Sequence, residues 1–122
     1  VVVGRDPRAS GETLLDALTA GLRELGTDVV DLGVAATPTV ARAVDWRDAD
    51  AGVAVTASHN PPADNGLKLW QPSGQAYDST GQNRITARLD ADDYRLVHLS
   101  HYIPAEEAFD DDMAVDGERF RL

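Results

Sequence analysis

The sequence predicts an α/β domain in three α/β/α layers, with a mixed four-stranded sheet that is mostly parallel and has one antiparallel edge strand. Three observations predict it. Short apolar runs rich in valine alternate with a leucine pattern of helical period, as in a parallel sheet covered on both faces. The last apolar run, Leu67 to Trp70, follows the one before it after about ten residues with no helical pattern. That is too short for a crossover helix and predicts an antiparallel neighbour. The chain has 122 residues, 43% of them hydrophobic, which is enough for one core.

Element by element, Val1–Val3 reads as a buried strand ended by Gly4, and Arg5 to Gly11 as a polar loop turning at Asp6-Pro7. Leucines at 14, 15, 18, 22 and 25 mark one face of a helix over Glu12 to Leu25, with Ser10 as N-cap and Gly26 as C-cap. Val29 to Val34 is the second strand. Thr37-Pro38 opens a short helix, with Thr37 as its cap and Pro38 at the first position. Ala51 to Thr56 is the third strand. Leu67 to Trp70 is the fourth, entered through an Asn65-Gly66 turn, and Ser79 to Leu89 is a helix. Asp90 to Leu99 has room for one extended segment. The domain is expected to cover residues 1–105, with 106–122 an acidic linker or tail. Because the chain opens inside a strand, upstream sequence is expected to be missing.

Composition excludes several classes of function. The net charge is −10, from 16 Asp and 5 Glu against 10 Arg and 1 Lys. Such a balance argues against a nucleic-acid partner, which needs basic faces. No apolar run is long enough to span a membrane. The chain has no cysteine, which removes disulfides and thiolate metal sites and agrees with a cytoplasmic location. Aspartate excess with lysine depletion fits a halophilic surface, on which salt screens self-repulsion.

In an open parallel sheet, ligands bind outside the carboxyl ends of the strands. Arg5-Asp6-Pro7-Arg8 follows the first strand and Ser58-His59-Asn60 the third, so both loops are expected on one rim. A serine hydroxyl near arginines points to phosphate chemistry, since guanidinium groups bind phosphoryl oxygens in bidentate fashion. Lys68 is the only lysine, ten residues beyond Ser58. An ammonium's pKa moves readily on burial, so it can trade protons, which a guanidinium cannot do near neutral pH. His59 beside Ser58 does not make a hydrolase triad, because adjacent side chains diverge and no G-x-S-x-G elbow is present. His98 and His101 read as surface residues, and Asp110-Asp111-Asp112 as a solvated acidic run.

Four segments together, Gly4-Arg5-Asp6-Pro7-Arg8-Ala9-Ser10-Gly11, Leu32-Gly33 with Thr37-Pro38, Thr56-Ala57-Ser58-His59-Asn60-Pro61 and Asn65-Gly66-Leu67-Lys68, resemble the first domain of the α-D-phosphohexomutases over roughly residues 1–100. That family includes phosphoglucomutases, phosphomannomutases and phosphoglucosamine mutases. The resemblance implies a phosphoserine at Ser58 that exchanges its phosphoryl group with a hexose phosphate through a hexose bisphosphate intermediate. It implies catalytic roles for Ser58, Lys68 and His59 and phosphate binding by Arg8, Arg5 and Asn60. It also implies a Mg²⁺ ion touched by the phosphoryl oxygen of Ser58. The family's Asp-Gly-Asp-x-Asp-Arg metal loop does not occur in this sequence, nor do the sugar-selecting and phosphate-anchoring loops of the later domains. The chain is therefore expected to be inactive alone and to need the remaining mutase domains. The alternative is a truncated or diverged fragment that folds, or self-associates, without catalysis.

Overall fold

The computed structural model describes residues 1–91 and the backbone of 102–103. The expected extended segment at 90–99, the histidines at 98 and 101, the tail at 106–122 and its acidic run lie essentially outside the described residues. Five strands and three helices follow in the order β1 (Val2–Arg5), α1 (Gly11–Glu24), β2 (Val29–Val34), α2 (Thr37–Trp46), β3 (Gly52–Val55), β4 (Leu67–Trp70), α3 (Ser79–Asp90) and β5 (Tyr102–Ile103).

The sheet runs β4-β3-β1-β2-β5. β1 pairs in parallel with both β2 and β3, and β4 pairs antiparallel with β3 at the edge, as the short connection requires. To the four expected strands the fold adds a two-residue fifth, parallel to β2 at the opposite edge.

The period of two along each strand sorts the core into two halves. Val2, Leu32, Val40, Ala43, Val44 and Ala54 pack on the α2 side, joined by Trp70. Val3, Leu15, Val29, Val53 and Val55 pack on the α1 side, joined by Leu18, Leu22 and Leu69. The sheet is thus sandwiched between α1 and α2. α2 approaches closely because two strand positions carry no side chain: a Cβ on Gly4 would lie 2.7 Å from Val40 Cγ2, and one on Gly52 would run into Val44 Cγ2. α3 has no buried residue.

The helix ends depart from the sequence expectation in instructive ways. Gly26 does end α1, at φ 76°, with the Thr27 N–H donating to the Leu22 carbonyl and the Gly26 N–H to the Arg23 carbonyl. Ser10 does not cap α1 through its side chain; its hydroxyl bonds Asn65 Oδ1 at 2.6 Å instead. Thr37 is the first helical residue of α2, after the extended Ala36, so it is not the cap. The Asn65-Gly66 entry to β4 has no positive φ. It is closed by the Thr56 N–H donating to the Gly66 carbonyl at 2.9 Å.

Candidate functional site

α1 connects β1 to β2 over one face and α2 connects β2 to β3 over the other, so the chain switches direction at β1. In such sheets the crevice lies at the carboxyl ends of the strands flanking the switch. A cleft of about 940 Å³ opens there. The loop after β1 contributes Asp6 and Arg8 to it, the end of β2 contributes Val34 to Thr37, and the loop after β3 contributes Ser58, His59 and Asn60. Lys68 lines it from β4, beside its antiparallel partner Ala54. Five of the six residues singled out for phosphate or catalysis, Arg8, Ser58, His59, Asn60 and Lys68, therefore line one cleft.

Arg5 is not among the cleft-lining residues, for a reason of parity. It pairs with Val55 and shares the face of Val3, turned to α1. Its Nη1 donates to the Asp6 carbonyl at 3.3 Å. Lys68 has the opposite parity, level with Ala54 on the α2 side, where the cleft opens. A bulge helps shape the facing wall: the register of β1 on β2 slips between Val3 and Arg5, opposite Gly33 at φ 65°. The Gly33 N–H donates to Asp31 Oδ1 at 2.7 Å. The bulge brings Val34, 57% exposed, onto the cleft rim.

Ser58 sits in a tight turn. The Asn60 N–H donates to the Ala57 carbonyl at 3.1 Å, and Ser58 at the first central position has φ 56°. A left-handed conformation costs a residue with a Cβ about 1–2 kcal/mol, so the turn must be held by its surroundings. Two residues that sequence reasoning did not place in the site hold it. Asp6 Oδ2 accepts from Arg8 Nε at 2.8 Å and from the Thr56 hydroxyl at 2.7 Å, and Oδ1 accepts from the Arg8 backbone N–H at 3.2 Å. The Thr56 hydroxyl in turn accepts from the Ser58 N–H at 3.1 Å. Asp6 had been legible only as part of an Asp-Pro turn, and Thr56 only as the end of a strand. The one available signal was a polar side chain closing an otherwise apolar buried run.

The guanidinium of Arg8 reaches across to the same loop. Nη2 donates to the Ser58 carbonyl at 2.8 Å, and Nη1 lies 3.2, 2.6 and 3.1 Å from the carbonyls of Asn60, Pro61 and Asp64. Burial alone would raise the Asp6 carboxyl, but the bonds from Arg8 and Thr56 and the Arg8 charge outweigh it and hold its pKa below the ordinary value. Ser58, His59 and Lys68 are exposed to the cleft. Lys68 has no ion pair among the described residues.

The same residues do not assemble a metal centre. No group of three His, Asp or Glu side chains close enough for an ion occurs among the described residues. Among the described residues Asp6 is the only carboxylate lining the cleft, and both its oxygens are engaged. A phosphoryl oxygen on Ser58 would supply one contact, and these residues do not complete a Mg²⁺ site. No helix of the described residues is long and apolar enough to cross a membrane.

Residues 1–96 match the family model for phosphoglucomutase/phosphomannomutase, alpha/beta/alpha domain I. A probable phosphoglucosamine mutase of Thermococcus kodakarensis is 43% identical over 95 residues, which is 78% of this chain and 21% of the relative. A phosphoglucosamine mutase of Lacticaseibacillus casei is 47% identical over 96 residues, 79% of this chain and 21% of the relative. A phosphoglucomutase/phosphomannomutase of T. kodakarensis reaches 55% over 74 residues, 61% of this chain and 16% of the relative. The fold is similar to the crystal structure of a phosphoglucomutase/phosphomannomutase family protein from Burkholderia thailandensis, with a TM-score of 0.74 and 34% identity over 84% of this chain and 24% of that one. The chain thus spans about a fifth of the length of the curated relatives it matches.

Proposed function

We infer, for a chain that belongs to the phosphoglucomutase/phosphomannomutase family as its α/β/α domain I, that Ser58 is the phosphoryl carrier of a hexose-phosphate mutase. The observation that carries this reading is the Ser58 turn: a serine in a costly left-handed conformation, held from below and open to the cleft that Lys68 also lines. A nucleophile that both gives and receives a phosphoryl group needs a fixed position, because small misplacements cost rate heavily.

The reaction balances within the pair of serine and sugar. As phosphoserine, Ser58 loses its Oγ–P bond while a hydroxyl of the hexose monophosphate forms a new O–P bond and gives up its proton, and Ser58 Oγ regains a proton. The bisphosphate then presents its other phosphoryl group, and the same steps run in reverse to leave the isomeric monophosphate. Lys68 supplies positive charge and N–H donors at Nζ against the phosphoryl oxygens. His59 lines the same wall as a second polar group. Asn60 helps form the turn, its N–H closing it. A Mg²⁺ ion supplies charge neutralisation in the complete enzyme, and its remaining ligands come from outside these residues.

The names of the relatives support glucose, mannose or glucosamine phosphates as substrate class. The cleft is open and lacks a full metal site, so the isolated chain is proposed to turn over no substrate: too little binding specific to the transition state is present. The test is intact mass spectrometry of the complete enzyme after exposure to hexose 1,6-bisphosphate. One phosphoryl group is expected on the peptide containing Ser58 and none in Ser58→Ala, with mutase turnover lost in the variant. Phosphorylation at another residue, or full turnover by Ser58→Ala, would refute the assignment.

A further inference from the structure

We propose that Arg8 is a positioning residue that clamps the Ser58 turn through backbone carbonyls and does not bind the phosphoryl group. The proposal rests on the reading of Ser58 as phosphoryl carrier, since it concerns how that serine is aimed. It stands on geometry that the sequence pattern does not reveal, because an arginine beside a phosphate-handling loop reads first as a phosphate ligand.

The Arg8 side chain is only 10% exposed. Its Nε is held by Asp6, and its two Nη groups face the carbonyls of Ser58, Asn60, Pro61 and Asp64. Those four acceptors span seven residues of a segment that has no helix or strand of its own. One part-buried guanidinium thus replaces the ladder that a regular element would provide. Only a planar fork with five donors can serve so many acceptors at once; an ammonium cannot match that geometry. The circuit closes through Asp6, which also holds the Thr56 hydroxyl that receives the Ser58 N–H. Both sides of the Ser58 peptide are therefore fixed, its N–H through Thr56 and its carbonyl through Arg8. That leaves the side chain as the free part of the residue. A guanidinium so occupied has little left for a phosphoryl oxygen, while Lys68 is exposed and unpaired among the described residues.

The test uses the complete enzyme with Arg8→Lys, Thr56→Val and Ser58→Ala, read by amide hydrogen exchange over residues 56–66 and by kcat and KM for the hexose phosphate. A bond to a charged group contributes about 1.5–3 kcal/mol, so losing even one speeds exchange roughly tenfold or more. Arg8→Lys is expected to raise exchange across the loop by at least that factor and to lower kcat, with KM within about twofold of the parent. Thr56→Val keeps Arg8 and its charge and is expected to raise exchange around Ser58, so the proposal stays testable if Arg8→Lys fails to fold. Ser58→Ala is expected to keep native protection, because the clamp uses only its backbone; its loss of activity speaks to the phosphoryl-carrier reading alone. Native protection in both Arg8→Lys and Thr56→Val overturns the clamp. So does a raised KM with unchanged kcat in Arg8→Lys, which marks a direct phosphate ligand.

Discussion

Replacing Asp6 by Asn tests the base of the site with a change of almost no volume. The carboxylate accepts three hydrogen bonds, from the Arg8 backbone N–H, Arg8 Nε and the Thr56 hydroxyl. An amide keeps one acceptor oxygen but loses the charge, and its NH₂ meets the donors that Oδ2 received. Bonds to charged groups contribute about 1.5–3 kcal/mol each. Asp6 is 23% exposed, so some of that is screened. The expected loss is therefore about 2–3 kcal/mol at neutral pH, well below the sum of three full-strength bonds. The pH dependence provides an internal control. Because the folded-state pKa is lowered, the carboxylate's contribution is complete above the unfolded value of about 3.9 and is lost as pH falls through the folded value. The stabilities of parent and Asp6→Asn should therefore differ at neutral pH and converge once the pH has fallen below the lowered folded value. Urea unfolding followed by tryptophan fluorescence, at fixed molar salt and several pH values, measures both. Equal stability at neutral pH, or a gap that persists undiminished into acid, would refute the reasoning.

Lys68→Arg in the complete enzyme should lower kcat by roughly tenfold to a hundredfold, because charge is kept while the compact ammonium is replaced by a larger planar guanidinium, as steady-state kinetics will show. Gly66→Ala places a Cβ 2.9 Å from the Thr56 carbonyl oxygen, a backbone atom with little freedom to yield. It should cost about 1–3 kcal/mol in thermal or urea unfolding, and it should disturb the loop more than the sheet. With a net charge of −10, the chain should gain thermal stability and self-associate as salt rises into the molar range. Circular dichroism and light scattering across a salt series check this, and a compact monomer whose midpoint ignores salt would count against it.

The fold was legible where periodicity carried the information. Leu15, Leu18 and Leu22 and the valines of β1 and β3 write out the helix face and the buried strands, while Leu14, expected on the same face, is exposed. The short span before Leu67 dictated the antiparallel edge. Chain order alone then set the loops after β1 and β3 on one rim, bringing Ser58 and Lys68 to a single cleft. What stayed hidden was side-chain partnership. Ser10, with cap chemistry just before a helix, chose Asn65, a tertiary partner 55 residues away. Asn65-Gly66, a strong hairpin dipeptide, adopts no positive φ because the loop is closed by Thr56 and held by Arg8. Local propensity was overruled in both places by contacts that no window of sequence contains.

Arg5 and Arg8 make the same point at closer range. Both follow the first strand and both were expected at phosphate. The alternation of β1 turns Arg5 toward α1, the side of Val3, and that much can be read from the sequence once the strand is extended by two residues. Arg8 lies beyond the strand, where no period applies, and its direction is set by Asp6 two residues before it. The pair Asp6 and Arg8 is visible in the sequence as opposite charges flanking a proline. Its purpose becomes readable only when the loop after β3 is brought alongside. That loop puts a left-handed serine and four backbone carbonyls within reach of one guanidinium. The geometry thus divides the arginine's two capacities, charge and a planar set of donors, and uses mainly the second. Under the proposed function, phosphate affinity at this wall would fall to Lys68, whose compact charge can meet a ligand without first giving up a structural partner.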